Sequence, residues 1–301
     1  MDVVSDACLT AAVSVAGGFG ILGGGYGDSV WLQRETEKLT QLVGKDRLPF
    51  GIGFITWSLA KNPQLLDVAL GAQPHAIMLS FGDPKPFAHR IKDAGALLIC
   101  QVQSEDMANE ALEAGADVLV AQGTEAGGHG ASASTMSLVP AIVDLAAGRV
   151  PVVAAGGIAD GRGLVASLML GAAGVLLGTR FYASREAAGH DDAKKRICAA
   201  ASSDTIRGII FDISRQSVWP APFTGRCLVN DHFRRWVGRE LELLQNVKTV
   251  AAQYAAARAA GNFDIAAVVA GEAVGLIDDV PPAADIIERM IAQATEILRT
   301  A

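Results

Sequence analysis

The sequence predicts an α/β protein built on a buried parallel sheet, and three observations carry that prediction. The first is a repeated unit of helical stretch, small-residue turn and short apolar strand. It is punctuated by Ala16-Gly17-Gly18, Ala94-Gly95-Ala96, Ala114-Gly115-Ala116 and Gly171-Ala172-Ala173, where glycine can end a helix in the left-handed conformation. The second is that the strands are continuous Val/Ile/Leu runs, the signature of strands covered on both faces. The third is size: 301 residues, 50% of them hydrophobic, are enough for a large core. Together these describe either an open doubly wound sheet or a closed (β/α)8 barrel.

The elements follow in order. The chain opens almost inside a helix, with Ser5 or Asp6 as N-cap and Ala7, Leu9 and Val13 supplying apolar content. Strands are predicted over 19–23, 50–54, 76–79, 97–102, 118–121, 150–154 and 174–177. That makes seven, so a barrel would have its missing first strand before Met1. Gly18-Phe-Gly20-Ile-Leu-Gly23 matches a dinucleotide fingerprint, but it follows a helix and enters a strand, the reverse of the required context.

After Gly178-Thr179-Arg180-Phe181 the rhythm changes to helical stretches over 185–201 and 232–260. Between them lies an irregular stretch with Trp219-Pro-Ala-Pro222 and Gly225-Arg226. The expected organisation is a core over 1–182, a helical elaboration above the barrel mouth over 183–270, and a closing segment over 271–301. That last segment carries an amphipathic run over 283–298 after Pro281-Pro282.

Composition narrows the function. Thirty-two acidic residues against 25 basic ones give a net charge of −7 with no Lys/Arg block, which argues against nucleic acid or an anionic membrane and for a small-molecule partner. Cys8, Cys100, Cys198 and Cys227 are widely spaced, so neither a disulfide framework nor a metal site is expected; a reducing cytoplasm fits. Neither a signal-peptide pattern nor an apolar run long enough to span a bilayer is present.

The chemistry concentrates in three loops. Gln122-Gly123-Thr124-Glu125-Ala126-Gly127-Gly128-His129-Gly130 leaves the fifth of the predicted strands. Its glycines allow close approach of a ligand, and its imidazole can act as base or donor near neutral pH. The second loop carries Gly156 and Gly157, with Asp160 near the start of the following helix, and the third carries Gly178 and Thr179. In a barrel these last two follow strands seven and eight, where phosphate is commonly held by backbone amides and a helix N-terminus. Gln101 and Gln122 end strands and carry amides able to bond a ligand's carbonyls or hydroxyls. His75, His89, His190 and His232 read as structural or solvated. Trp219 and Phe223 read equally as mouth-lining or as packing, and Glu125 as a loop-orienting group rather than the base.

These motifs, with Ala16-Gly17-Gly18-Phe19-Gly20, Gly51-Ile-Gly-Phe54, Glu125-Ala-Gly-Gly-His129, Ala155-Gly-Gly-Ile158, Gly225-Arg226 and Gly275-Leu-Ile277, resemble those of the FMN-dependent nitronate monooxygenases, once called 2-nitropropane dioxygenases. The resemblance implies a (β/α)8 TIM barrel lacking most of its first strand, with FMN at the C-terminal ends of the strands. It implies that Gly156, Gly157, Gly178 and Thr179 hold the phosphate, and that Gln101, Gln122, Gly123 and Gly128 lie against the rest of the cofactor. His129 would then remove the α-proton of a nitroalkane or orient a nitronate, and O2 would carry the oxidation to a carbonyl compound and nitrite. Two other activities share the histidine loop or the apparent defect: an NAD(P)H-dependent enoyl-acyl-carrier-protein or quinone reductase, and a non-catalytic, flavin-poor scaffold.

Two departures from the family pattern stand out. Gly53 occupies a position where many members place asparagine, and Met1 occupies that of the Pro-Met ending the family's first strand. The expectation is that the start lies upstream or that FMN is bound weakly.

Overall fold

The computed structural model describes residues 4–44 and 48–300, so the expectation attached to Met1 lies outside the described residues. Seven parallel strands form one curled sheet in which spatial order follows sequence order. They are β1 (Gly20–Gly23), β2 (Phe50–Ile55), β3 (Ala76–Ser80), β4 (Leu97–Val102), β5 (Val118–Gln122) and, after a short strand β6 (Gly128–Gly130) of a second sheet, β7 (Val152–Ala155) and β8 (Gly174–Leu176). Each lies where the apolar runs predict it. The largest displacement is β7, which starts at Val152 because Pro151 before it has no N–H for the ladder.

Alternation along each strand sorts the side chains. Met78, Ile99, Val120 and Ala155 face inward and form a small central cluster. Leu22, Ile52, Ile77, Leu98, Leu119 and Ala154 face outward into the large core beneath the helices. Burial on both faces is why the strands read as unbroken apolar runs.

Helix α1 (Ala7–Val15) precedes β1 and is capped by Asp6, whose carboxylate accepts from Leu9 N at 3.0 Å. A Cβ at Gly20 would sit 2.1 Å from Thr10 O, so this glycine of the false fingerprint lets helix and strand touch. Helices α2 (Ser29–Leu42), α3 (Thr56–Leu59), α4 (Leu65–Gly71), α5 (Lys85–Asp93), α6 (Glu105–Glu113), α7 (Thr135–Ala146) and α8 (Gly161–Met169) alternate with the strands. The short α9 (Thr179–Tyr182) follows β8. The turn glycines Gly17, Gly95, Gly115 and Gly171 all take positive φ, between 77° and 92°, the left-handed exit that their Ala-Gly context predicts.

The elaboration differs from a pair of long helices. The stretch 185–201 is helical only in α10 (Asp191–Ala199), with His190 as N-cap. A second sheet then follows, made of β9 (Thr205–Gly208) and β10 (Thr224–Leu228) around α11 (Ile210–Ser214). It pairs antiparallel in the order β6-β10-β9, so the histidine loop is itself an edge strand of the elaboration. The stretch 232–260 divides into α12 (Asp231–Trp236), α13 (Glu240–Gln245) and α14 (Val247–Ala259); Gly238, with φ +76°, turns the chain between the first two, and Asn246 separates the last two. These short strands carry arginine and glycine in place of a two-residue apolar alternation.

The C-terminal helix α15 (Ala283–Thr300) packs against α8 and α1 and so closes the ring of helices. Gly161 N donates to Gln293 Oε1 at 2.7 Å at that contact. Among the described residues β1 and β8 are the two edges of the sheet. Val4 and Ser5 run past this gap: Ser5 Oγ donates to Ile21 O at 2.6 Å, Gly23 N to Ser5 O at 2.9 Å, and Ala188 N to Val4 O at 3.1 Å. Among the described residues no helix is long and apolar enough to cross a membrane.

Candidate functional site

The C-terminal ends of β4, β5, β7 and β8 bring the predicted residues to one mouth. Gln101 of β4 donates through Nε2 to Gln122 Oε1 of β5 at 3.2 Å, and Gln122 Nε2 donates to the carbonyl of His129 at 3.2 Å. A third glutamine, Gln103, donates to the same Gln122 oxygen at 2.8 Å, while its own buried Oε1 has no partner. By alternation with outward-facing Ile52 and Phe54, Gly53 also faces inward, in register with Met78.

His129 is almost fully buried, and its Nε2 lies 3.0 and 3.1 Å from the two carboxylate oxygens of Asp212 in α11. A carboxylate only accepts, so the proton of the neutral ring sits on Nε2 and the lone pair on Nδ1. Nδ1 has no hydrogen-bond partner among the described residues. Burial pushes the His129 pKa below the ordinary histidine value, opposed by Asp212 and reinforced by the Arg215 and Arg207 cations. The ring is therefore neutral, with its base nitrogen free, at neutral pH. Arg215 in turn donates to Asp212 at 2.6 Å and fixes the carboxylate.

Trp219 lies flat on the imidazole, with ring centroids 3.4 Å apart and planes 6° from parallel. Trp57, Phe81 and Tyr26 meet Trp219 edge-on, making an aromatic wall over the mouth. Trp219 thus packs among these rings beside His129.

The loop carrying His129 is held mainly by two arginines of the second sheet. Arg207 of β9 donates to the carbonyls of Thr124 (2.8 Å), Ala126 (3.1 Å), Gly128 (3.2 Å) and Thr224 (2.5 Å), and Arg226 of β10 adds a bond to Thr124 O at 2.9 Å. Burial and the neighbouring Arg226 bring the Arg207 pKa down to about 10, so this clamp is a desolvated cation satisfied by dipoles. Glu125 accepts from Thr135 N at 2.9 and 3.0 Å and from Thr135 Oγ1 at 2.8 Å, tying the loop to the start of α7. It is a loop-orienting group, and it does not touch the imidazole.

The glycines divide by what surrounds them. A Cβ at Gly123 would sit 2.1 Å from Thr135 Oγ1, and one at Gly156 would sit 3.0 Å from Gly123 O. These two serve the packing of loop on loop. Gly128 and Gly157 take positive φ, and Gly157 lies over the Glu125 side chain. Gly178 is different: a Cβ there meets nothing within 4 Å, so its backbone faces open space.

The helix N-terminus expected to help after β7 is already full. Asp160 accepts from Arg162 N and Gly163 N, and Gly161 N is taken by Gln293. The start of α9, by contrast, has no side-chain cap. Thr179 Oγ1 there accepts from Gly271 N at 2.9 Å, which leaves its O–H free to donate. Arg180 is turned away, buried against Asp279 and the Ala183 carbonyl.

Several of these contacts escape a reading of the sequence. Asp212 lies 83 residues from His129 in a segment without periodicity, and Arg207 stands alone in a short polar strand. Arg226 is visible only as part of a Gly-Arg pair, and Gln103 only as the residue two beyond Gln101, on the same face. His232 is structural, as expected, buried and bonded to Ser214 Oγ at 2.7 Å.

The profile of the family described as nitronate monooxygenase matches residues 55–293. The chain is 35% identical to a nitronate monooxygenase of Metarhizium robertsii, over 99% of this chain and 90% of the relative. Among solved structures, FabK of Thermotoga maritima superposes with a TM-score of 0.86 at 30% identity, covering 100% of this chain and 92% of that one. A nitroalkane oxidase from Streptomyces ansochromogenes superposes with a TM-score of 0.81 at 25% identity, covering 99% and 94%. These likenesses run the length of a barrel whose histidine loop, aromatic wall and open β8 turn meet at one mouth, and the chain accordingly belongs to the nitronate monooxygenase family of flavin-dependent oxidoreductases.

Proposed function

We propose that the protein uses FMN to oxidise alkyl nitronates with O2 to a carbonyl compound and nitrite, and that His129 extends this to neutral nitroalkanes. The observation that carries the reading is the environment of His129: a buried neutral ring, its Nε2 proton held by Asp212, its Nδ1 unengaged at the mouth of the barrel.

FMN fits the residues present on two observations. The backbone at Gly178 faces open space beside the uncapped start of α9, where Thr179 has a free O–H. The buried Gln103 Oε1 lacks the donor that a ring N–H or a ribityl hydroxyl would supply. Gly178 and Thr179 would hold the phosphate with Gly156 and Gly157 behind them, and Gln101, Gln122, Gly123 and Gly128 would lie along the rest of the molecule. When bound, FMN supplies the redox chemistry.

The chain's own residues do the remaining work. His129 Nδ1 takes the α-proton of a nitroalkane, and the resulting imidazolium, paired with Asp212, faces the anionic nitronate. Asp212 holds the tautomer, and Arg215 holds Asp212. Trp219 and its aromatic neighbours keep water off the imidazole.

The likeness to FabK favours one second reading, an NAD(P)H-dependent enoyl reductase. Two measurements separate them. Bound flavin that stays oxidised under anaerobic NADH, with nitrite release and O2 uptake on an alkyl nitronate, supports nitronate oxidation. Rapid anaerobic bleaching by NADH or NADPH without nitrite production supports the reductase. A colourless protein that turns over nothing when FMN is added would leave a non-catalytic scaffold.

A further inference from the structure

Two partners of His129 come from one short stretch of chain. Asp212 of α11 takes the Nε2 edge of the imidazole at 3.0 Å, and Trp219 covers a face of it, with centroids 3.4 Å apart and planes 6° from parallel. The stretch between them is folded back on itself. Ser217 N donates to Asp212 O at 2.9 Å, Arg215 donates to the Asp212 carboxylate at 2.6 Å, and Gln216 turns the chain with φ +54°. Asp212 and Trp219 are therefore presented to the imidazole as one unit.

Each contact removes a freedom that the other leaves. A hydrogen bond at Nε2 fixes one atom of the ring and lets its plane pivot, whereas a flat stack fixes the plane. The indole is itself held, with Trp57 and Phe81 set steeply against it at 5.3 and 5.2 Å. The direction of Nδ1 is set by the edge and face contacts together.

The stack also acts on charge. The face of an indole carries the negative part of its quadrupole and attracts a cation placed over it, more strongly where water is excluded. His129 is buried, so the charge formed when Nδ1 takes up a proton is met by neighbouring groups in place of solvent. Those groups are mixed in sign: Asp212 is anionic, while Arg215 at the end of the same helix and Arg207 of β9 are cationic. From the other elements, Glu125 is turned to Thr135, and β10 meets the ring with the Gly225 backbone.

We propose that Trp219 is a positioning residue for His129, whose indole pins the plane that aims Nδ1 and stabilises the imidazolium through the negative face of its π system. Its place in turnover rests on the proton-accepting role given to His129 above, and its effect on the ring on the stacked geometry alone.

Trp219→Leu tests this, since leucine keeps an apolar cover on the ring and removes the π face; Trp219→Phe keeps a smaller face. The first readout is an NMR titration of the His129 ring protons in the purified protein, which has five histidines, the signals being identified by their absence from His129→Asn. The His129 pKa should fall by about one pH unit in Trp219→Leu and by less in Trp219→Phe. An unmoved His232 titration certifies that the elaboration is folded, and should the leucine variant not fold, the phenylalanine variant carries the comparison by its smaller fall. The second readout is the pH profile of nitroalkane turnover, whose acidic limb should move to lower pH with the His129 pKa.

A His129 pKa that stays put or rises overturns the proposal: staying put makes the indole packing alone, and rising makes it a shield against water alone. A pKa that falls as expected, in a protein that turns over no nitroalkane, would support the stacked contact and sink the nitroalkane reading.

Discussion

His129 is the residue whose meaning changes most between sequence and structure. A histidine on a glycine turn can accept a proton at either nitrogen; bonding of Nε2 to Asp212 leaves Nδ1 as the nitrogen with the lone pair. His129→Asn should lower turnover of neutral nitroalkanes by about a hundredfold, the scale of a lost general base, and spare pre-formed nitronates. Nitrite assays on both substrates check this, and unchanged nitroalkane turnover removes the assignment. Asp212→Asn keeps the shape but removes the anion that raises the His129 pKa against burial. Its acidic limb in the pH profile of nitroalkane turnover should therefore move to lower pH; a profile that stays put would mean Asp212 acts only as packing. At this scale the sequence exposes the histidine and conceals its partner, because nothing local to Asp212 marks it. The contact exists only once α11 is laid over the mouth.

Elements decide how the mouth is held. The Arg207 guanidinium of β9 satisfies carbonyls of the histidine loop that would otherwise be buried unpaired. Arg207→Met is expected to cost about 3 kcal/mol, from several carbonyls losing their donor in a buried place. Urea unfolding measures it, and a change under about 0.5 kcal/mol would show that water replaces the clamp.

The turn after β8 gives a cleaner test of cofactor contact. Gly178 has a negative φ and open space where a Cβ would go, so Gly178→Ala should leave the stability of the flavin-free protein unchanged. If the phosphate lies there, flavin content of the purified protein should fall several-fold; full flavin content would move the phosphate elsewhere.

The elements themselves were mostly legible. The Ala-Gly turns and Val/Ile/Leu runs locate all seven barrel strands, since two-sided burial writes a continuous apolar signal. The second sheet was not, because β6, β9 and β10 are stabilised by pairing across long separations and by arginine side chains, not by an apolar face of their own.

For the molecule as a whole, burial of two histidines links stability to pH. His129 and His232 both have pKa values depressed by desolvation. The unfolded chain therefore takes up protons first as pH falls. Their contribution is fully present above the ordinary histidine value of about 6.5 and is lost as pH drops through the lower folded values. Thermal melts should show Tm falling between about pH 7 and 5. A His232→Asn variant should lose part of that slope, and a slope identical to wild type would assign the effect to carboxylates.

What the sequence determined by itself is the scaffold and the place of the glycine-rich loops at its mouth. Periodic burial and turn glycines act through neighbours in the chain, so they leave local marks. Tertiary structure alone decided which nitrogen of His129 is free, which arginines hold its loop, that Gln293 already takes the Gly161 amide at the start of α8, and that Gly178 opens onto space while Gly123 does not. The first three depend on side chains brought together from segments some 80 or more residues apart, and desolvation and hydrogen-bond partnership are properties of such meetings rather than of any stretch of chain.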